Sequence, residues 1–389
     1  MSANNKGQNV ANAPLLRFPE FKDEWNIVKV SDLLEFYSTN SYSWDQLDFE
    51  VGEIFNLHYG MIHNGLPTMM NAKENILPFV KEKPKNYTIC KEGDVAFADA
   101  SEDTNEVAKC IEFTNCDRKQ IICGLHTIHG RDKLGITELG YKGYAFSSKA
   151  FHDQVKKLAQ GTKIYSISAK TFSECFVGIP SNKEQQKIAK LLSLIDKRIE
   201  IQRSAIEKLK SLMAGICSKI LLENTPNTRI KDCLSCESST LKESDLKNQG
   251  LYPVYGANGL CGFTDSAECS DESILIVKDG SGVGSLQYVT GDYSFIGTLN
   301  CLKFKPGFCL KYIYFMLSAF DFSKFKTGMA IPHIYFKDYG NSMIYCPPFD
   351  KQQEIAEKNS KLETKIKRES DLLSLYQNQK QYLLSKMFI

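Results

Sequence analysis

A glycine-rich segment and a proline pair are the residues whose spacing could support chemistry. Residues 280–284 read Gly-Ser-Gly-Val-Gly after an apolar run at 274–277, as in a phosphate-binding cofactor loop. Such a loop opens a helix whose N–H groups bind the phosphate, but residues 285–289 have the alternation of a strand. Residues 347–349, Pro-Pro-Phe, are similar to the catalytic loop of amino-methylating enzymes, which need Asn or Asp where Cys346 stands. A SAM-dependent DNA adenine methyltransferase is therefore an alternative that the local sequence disfavours.

The cysteines and histidines form no recognisable metal motif. The 13 cysteines are irregularly spaced, which is typical of free thiols in a reducing cytoplasm. Cys233 and Cys236 form a CxxC without the second tight pair that a four-thiolate zinc site prefers. His126 and His129 lie on a predicted strand, where residues three apart face opposite sides. We therefore predict no catalytic residue, no metal site and no cofactor.

A long helix after Pro180 is the element that must position everything else. Apolar residues alternate at spacings of four and three, the a/d pattern of a coiled coil, interrupted only by Gln202. Ser181 and Glu184 form a predicted capping box at its start. At 1.5 Å per residue the helix would be roughly 60 Å long. The predicted seam consists of Ile188, Leu192, Ile195, Ile199, Ile206, Leu209, Met213, Ile216 and Ile220.

A second helix repeats this pattern 167 positions later (355 − 188 = 167). Pro180 aligns with Pro347 and Gln202 with Glu369, so we infer an internal duplication. Only about six residues follow the first helix before the next globular segment, so the second helix is expected to run back antiparallel along the first. The second predicted seam consists of Ile355, Leu362, Ile366, Leu373, Tyr376, Leu383 and Met387.

A globular segment precedes each helix. Residues 29–34 (KVSDLL) resemble residues 229–234 (RIKDCL), and short β-branched and aromatic runs broken by Gly and Asn predict twisted sheets with a few helices. The predicted fold class is α+β: two α/β domains separated by two long helices that form an antiparallel coiled coil, with an internal pseudo-two-fold repeat. The predicted boundaries are 1–14 (disordered), 15–178 (first head), 179–224 (first helix), 225–345 (second head) and 346–389 (second helix).

The net charge of +2 gives weak support for a polyanionic partner, but its distribution is uneven. Residues 183–222 carry nine Lys/Arg and four Asp/Glu, and residues 351–388 carry eight and five. The two helices thus hold +8 and the remainder −6, which suits a phosphate-rich neighbour. No apolar run approaches the roughly 18 residues of a membrane span, and residues 1–14 are polar, so we predict a soluble cytoplasmic chain with no membrane partner.

Several short motifs, in the same order in both halves, resemble those of the specificity subunit of a type I restriction–modification system. They are residues 252–259 (YPVYGANG), 278–281 (KDGS), 125–128 (LHTI) and the helix entries 179–189 and 346–356. The resemblance implies that each head is a target-recognition domain reading one half of a bipartite site on double-stranded DNA. It also implies docking to two methyltransferase subunits, and through them to restriction subunits, by a chain that itself catalyses nothing.

Polar loop residues are the candidates for DNA contact. Arg and Lys can read guanine and Asn can read adenine in the major groove. A second alternative, a coiled-coil assembly scaffold that binds no DNA, would keep the helices but would not need such loops. The candidates are Tyr59, Arg131 and Lys133 in the first head and Tyr255, Asn258, Lys278, Ser281, Lys326 and His333 in the second.

Overall fold

The computed structural model describes residues 12–74, 76–116 and 119–389. Most of the segment 1–14, predicted to be disordered, lies outside the described residues. The Asn12 carbonyl, just inside them, accepts a hydrogen bond from the Trp25 N–H (2.9 Å). The chain divides into two compact units: one runs to Ile201 and includes Leu372–Ile389, and the other is Gln202–Asp371. None of the described helices has the combination of length and apolar composition that a membrane span requires.

In its described part, the first unit contains thirteen strands, five complete helices, the beginning of a sixth helix and the end of the second long helix. The strands are β1 (Asn26–Lys29), β2 (Leu34–Tyr37), β3 (Leu47–Asp48), β4 (Ile54–Leu57), β5 (Met69–Asn71), β6 (Phe79–Val80), β7 (Val95–Ala98), β8 (Ala100–Ser101), β9 (Cys110–Thr114), β10 (Gln120–Cys123), β11 (Thr127–Asp132), β12 (Tyr165–Ser166) and β13 (Phe176–Ile179). The helices are α1 (Val30–Leu33), α2 (Tyr59–His63), α3 (Tyr141–Phe146), α4 (Lys149–Leu158), α5 (Ala169–Phe172) and α6 (Asn182–Glu223).

Two sheets organise the first head. One has the order β2-β11-β7-β9-β5 and the other β10-β4-β6-β3. The central strand β7, Val-Ala-Phe-Ala, is buried at all four positions, which explains its continuous apolar sequence. Strand β1 pairs antiparallel with β13, so the start of the head is hydrogen-bonded to its end just before α6.

The second unit contains nine strands and three complete helices in addition to the end of α6. The strands are β14 (Thr228–Arg229), β15 (Leu234–Ser238), β16 (Tyr252–Gly256), β17 (Gly259–Thr264), β18 (Ser273–Val277), β19 (Leu286–Val289), β20 (Ser294–Phe295), β21 (Leu299–Phe304) and β22 (Met343–Ile344). The complete helices are α7 (Ile230–Cys233), α8 (Leu310–Ser318) and α9 (Phe336–Tyr339), and α10 (Phe349–Lys386) begins in this unit. Its larger sheets have the orders β15-β21-β18-β19 and β17-β16-β20, and β14 pairs antiparallel with β22 as β1 does with β13.

The long helices pair antiparallel within each unit. In the first unit, Lys380 on α10 forms an ion pair with Asp196 on α6 (2.6 Å), and the Tyr376 ring lies 5.8 Å from the Arg198 guanidinium. Residue numbers therefore rise along one helix as they fall along the other. In the second unit, Gln202 donates to the Glu369 carbonyl (3.1 Å) and Asn359 donates to the Cys217 sulfur (3.7 Å), again in antiparallel order.

Burial separates the predicted seam from the rest of these helices. Every predicted seam residue on α6 and α10 is buried or half-buried. Leu194, Leu212 and Leu375, which lie on the same helices outside the seam, are 52%, 52% and 63% exposed. Glu184, predicted to cap α6, instead accepts two hydrogen bonds from Arg17 (2.7 Å each). The start of α6 is thereby tied to the first residues of the first head.

The duplication extends to individual hydrogen bonds at the joint between head and helix. The Gln185 amide donates to the Pro180 carbonyl (3.0 Å), and Gln352, 167 positions later, donates to the Pro347 carbonyl (2.8 Å). Both glutamines are almost fully buried, so each amide holds the turn that starts a long helix. The predicted α+β fold class with two repeats is confirmed.

A glycine hairpin and a buried tyrosine are also repeated. Gly161 (φ 135°) and Gly328 (φ 85°) each begin a tight hairpin in which a side chain would collide with the backbone carbonyl three residues on. The Tyr141 hydroxyl donates to the Gly178 carbonyl and the Tyr312 hydroxyl to the Tyr345 carbonyl (2.6 Å each). Each bond links a helix of the head to the segment leading into α6 or α10.

Candidate nucleic-acid interface

In the first head, Tyr59 lies in a cluster of aromatic and imidazole rings. It begins the short helix α2, whose cap is His58: the Nδ1 atom accepts a hydrogen bond from the Gly60 N–H (3.1 Å). The Tyr59 ring is 4.7 Å from His58 and 5.1 Å from the exposed His126, centroid to centroid. Trp44, on the 3-10 turn Trp44–Gln46, also packs against His58 (4.3 Å between ring centroids) and is 47% exposed. Exposed aromatic and imidazole rings of this kind can stack on bases or contact phosphates.

Titration within this cluster is shifted by burial. Desolvation, assisted by the nearby His126, lowers the pKa of His58, so its imidazole stays neutral and keeps accepting from Gly60. Burial also raises the pKa of Asp99, although His126, whose Nδ1 lies 3.1 Å from the carboxylate, acts in the opposite direction. The cluster therefore places the exposed ring of His126 beside Tyr59.

Arg131 and Lys133 are occupied by the fold. The Arg131 guanidinium forms two hydrogen bonds with the Asp94 carboxylate (2.7 Å each) and lies 4.6 Å from the centre of the Tyr37 ring. The hydrogen bond to Asp94 is the main reason that the pKa of Arg131 is raised. The Lys133 ammonium donates to the Ser31 carbonyl (2.7 Å). The bidentate edge with which Arg131 would read guanine therefore faces a carboxylate of the same domain.

The first-head candidates do not form one group. Tyr59 contacts the turn that precedes β11, whereas Arg131 lies near the other end of that strand and Lys133 just after it. Four residues separate Thr127 from Arg131, which is roughly 13 Å along a strand. The structure thus associates Tyr59 with histidines and Trp44 instead of with the two basic residues.

In the second head, three loops and a hairpin turn border a groove of about 770 Å³. Asn258, in the turn between β16 and β17, and Ser281, in the loop after β18, both line it. The Gln287 amide holds the hairpin by donating to the Gly256 carbonyl (2.7 Å). Gly280 and Gly284 have positive φ values (100° and 92°), which lets the backbone of the second loop turn sharply at the groove edge.

His333 and Lys278 adjoin the same groove. Asp279, which lines the groove, contacts the His333 Nδ1 atom (2.7 Å), and Lys278 accepts a backbone hydrogen bond from Ile334 (3.0 Å). Lys326 is exposed and directly precedes Thr327, which pairs with His333 across the Gly328 hairpin. The structure therefore brings Lys278, Lys326 and His333 to the region that holds Asn258 and Ser281.

Tyr255 differs from the other second-head candidates. It is half-buried and packs against the Tyr293 ring at 5.9 Å between centroids, beside a core cluster centred on β18 and β21. Its backbone carbonyl accepts from the Ile296 N–H (3.0 Å). Tyr255 supports the groove from inside the domain, and the loop residues around it supply the exposed polar groups.

The residues that the sequence analysis missed lie mainly at the start of each head. Trp44 and His58 in the first head, and Lys242 and Glu243 in the second, border the same regions as the candidates. The repeat itself could have identified these residues. The 3-10 turns Trp44–Gln46 and Glu243–Asp245 are 199 positions apart (243 − 44 = 199), close to the offset of 200 positions between the two domain openings at residues 29–34 and 229–234.

The two segments that resemble cofactor or catalytic loops have structural roles. Residues 280–284 connect the antiparallel strands β18 and β19 and open no helix, as the sequence predicts. The proline pair directly precedes α10, and the Pro347 carbonyl accepts from Gln352. Cys233, half of the CxxC pair, bonds through its thiol to the Ile230 carbonyl (3.2 Å). The structure thus removes the local support for a methyltransferase cofactor loop.

The chain is similar to known proteins over nearly its whole length. A sequence model of the family described as "Type I restriction modification DNA specificity domain" matches residues 22–211 and again residues 227–374. A solved structure described as a type I restriction-modification system S subunit from M. genitalium has 17% identity and a TM-score of 0.61, over 97% of this chain and 99% of that one. A structure described under complex assembly and conformational transition of the type I R-M system has 13% identity and a TM-score of 0.54, over 92% and 96%. No curated protein matches.

The fold and the repeated loops define a class of protein in which an α/β domain and a long helix occur twice in one chain. The family matches cover both repeats and more than half of the chain. The chain therefore belongs to the type I restriction modification DNA specificity domain family.

Proposed function

We propose that this chain is the specificity subunit of a type I restriction–modification complex and that each head reads one half of a bipartite DNA site. The observation that carries the proposal is the duplication: the family matches twice, and the same side-chain hydrogen bond recurs at the joint between head and helix, at Gln185 and at Gln352. A protein that presents two similar domains suits a target with two half-sites.

The groove in the second head is the proposed reading surface there. Asn258 is exposed at a hairpin tip, where its side-chain amide suits bidentate contact with adenine, and Lys278 and Lys326 suit guanine or phosphate. His333 and Ser281 add donors at the same edge. In the first head, the ring cluster around Tyr59 takes this role, and Arg131 serves to hold the sheet together.

We propose further that the subunit catalyses nothing and docks two methyltransferase subunits, with restriction subunits joining through them. The solved relative described under complex assembly of a type I R-M system supports an assembled state. The proposal places the partner contact on the outer faces of the long helices, where exposed apolar side chains lie outside the seam. They are Leu194, Ile201, Leu212, Leu222, Leu375 and Tyr382.

Methylome sequencing of the host, with and without the gene, tests the proposal. We expect one split motif, with two short specific parts and an unspecified gap, to lose its methylation when the gene is removed. An unchanged methylome, in a strain that expresses the cognate methyltransferase, would favour the scaffold alternative. The same split motif, placed on an oligonucleotide, should bind the reconstituted complex more tightly than a version with either half scrambled.

A further inference from the structure

A buried group of two thiols and one imidazole lies in the first head and includes none of the residues proposed to read DNA. The Cys90 and Cys123 sulfurs are 3.6 Å apart, and together with a ring nitrogen of His129 they lie within 4.8 Å of one another. All three side chains are at most 2% exposed. Two sulfur ligands of one tetrahedral zinc ion, at about 2.3 Å from the metal, lie about 3.8 Å apart, whereas disulfide sulfurs lie about 2 Å apart.

Asp94 fixes which nitrogen of His129 is available. The His129 Nε2–H donates to the Asp94 carboxylate (2.8 Å), which Arg131 also binds. The Nδ1 atom is left as the acceptor, and within the part of the chain that the structure describes this buried atom has no hydrogen-bond partner. A carboxylate that orients a histidine from behind is the arrangement found around metal-ligating histidines. The unsatisfied Nδ1 atom therefore points to a missing ligand.

We propose that Cys90, Cys123 and His129 bind a structural zinc ion, with Asp94 positioning the imidazole. Binding replaces two thiol protons by one divalent cation, so two thiolates and the cation together bring no net charge into the core. The ion pair of Asp94 with Arg131 is already neutral. Thiolate and imidazole ligands favour zinc over magnesium or calcium, which prefer oxygen. A water molecule completes the tetrahedron.

Both thiols must lose their protons to bind a metal ion, because the thiolate is the ligand form of cysteine. Zinc binding to this site should therefore release two protons per ion, as thiols become thiolates. A thiolate in this core needs a cation beside it, because an unpaired buried charge is strongly disfavoured.

The site would connect the two sheets of the first head. Cys123 ends β10 in the four-stranded sheet, and His129 lies in β11 of the five-stranded sheet. The Cys90 backbone N–H donates to the Ile121 carbonyl (2.8 Å), which ties the segment containing Cys90 to β10. A zinc ion here would fix the turn between β10 and β11, which includes His126 of the Tyr59 cluster. The inference does not depend on the proposed DNA function.

The second head contains a related but weaker group. Strand pairing places His129 opposite Tyr37 and Ala96, and Cys301 opposite Glu237 and Leu275, so His129 and Cys301 occupy equivalent positions. There the Cys269 and Cys301 sulfurs are 3.9 Å apart. The third potential ligand, Glu237, is an exposed residue in an ion pair with Lys303 (2.6 Å). We therefore assign the zinc to the first head alone, and Cys301 becomes a matched control.

Metal analysis of the full-length chain tests the assignment. Protein from zinc-supplemented cells, purified under reducing conditions without chelator, should contain a single zinc ion per chain by elemental mass spectrometry. After removal of zinc, cobalt(II) should give thiolate-to-metal charge-transfer absorption. Cys90→Ser, Cys123→Ser and His129→Ala should each lose stoichiometric metal, whereas Cys301→Ser and Cys110→Ser, which remove buried thiols outside the group, should retain it.

The wild-type measurement decides the question even if a ligand variant fails to fold. Wild-type chain that binds neither zinc nor cobalt stoichiometrically would overturn the proposal. A disulfide between Cys90 and Cys123 would also overturn the proposal, if the chain still failed to bind metal after reduction. Such a disulfide would appear in protein purified without reductant as a mass lower by two hydrogens. The proposal would also be wrong if the Cys301→Ser variant lost the bound metal and the Cys90→Ser variant kept it. DNA binding would be measured separately, so that failure of one proposal does not imply failure of the other.

Discussion

Truncation of one seam residue tests the pairing of α6 with α10 in the second unit. Ile206 is 7% exposed, and the Ile206→Ala change removes three carbons from a packed position. Substitutions of this type cost about 2–5 kcal/mol in full cores. We expect about 2–4 kcal/mol here, because neighbouring seam residues such as Leu209 and Met213 are only half-buried. A unit of this size loses roughly 2–4 °C in Tm per kcal/mol, so its transition should fall by roughly 4–16 °C.

Leu212→Ala is the matched control, because Leu212 lies on the same helix at 52% exposure. Its change should stay within about 0.5 kcal/mol, since alanine also favours the helix. Thermal unfolding followed by circular dichroism, with calorimetry to separate the transitions of the two units, gives both values. Equal shifts for the two variants, or a larger shift for Leu212→Ala, would mean that the predicted seam does not pack as described.

Three further predictions concern DNA binding, a repeated hydrogen bond and acid stability. Affinity of the complex for its split site should fall by at least roughly tenfold between 50 and 200 mM salt, because phosphate contacts release counterions; a flat response in filter binding would contradict this. Tyr312→Phe should cost about 1–3 kcal/mol, because it leaves the part-buried Tyr345 carbonyl without its donor; Tyr382→Phe, at 57% exposure, should cost almost nothing in the same urea titration. Burial raises the pKa of Asp132, but hydrogen bonds from Thr137 and nearby backbone N–H groups outweigh it and lower the pKa overall. The ionised Asp132 carboxylate stabilises the fold fully above its unfolded pKa of about 3.9, and this contribution is lost as the pH falls from there through the lower pKa of the folded state. The difference in unfolding free energy between wild type and Asp132→Asn should therefore shrink below about pH 3.9. A difference that stays constant with pH would refute the assignment.

The sequence predicted the elements whose signals are periodic or repeated. The a/d spacing from Ile188 onward and the 167-residue repeat led to two long helices, and the chain has α6 and α10 at those positions. Gly161 and Gly328 kept the same offset, and each has the positive φ that its hairpin requires. Such features are local, so the pattern along the chain determines them without knowledge of which strands pair.

Contacts between distant strands could not be predicted in this way. Arg131 was a candidate for base reading because its partner Asp94 lies 37 positions earlier in the sequence. Only the folded sheet brings the two side chains together. Cys90, Cys123 and His129 come together for the same reason: two sheets and a bridging segment must assemble before the three side chains meet. Spacing along the sequence therefore predicts no metal site, whereas the folded first head brings two thiols and an imidazole together.

Exchange of one head tests the central claim, independent reading of two half-sites, most directly. Residues 15–178 would be replaced by the corresponding head of another family member, leaving both long helices and residues 225–345 unchanged. Methylome sequencing of cells that express the hybrid with the cognate methyltransferase reads out the recognised motif. We predict a new first half joined to the original second half, with the same gap. A motif altered in both halves would contradict independent heads.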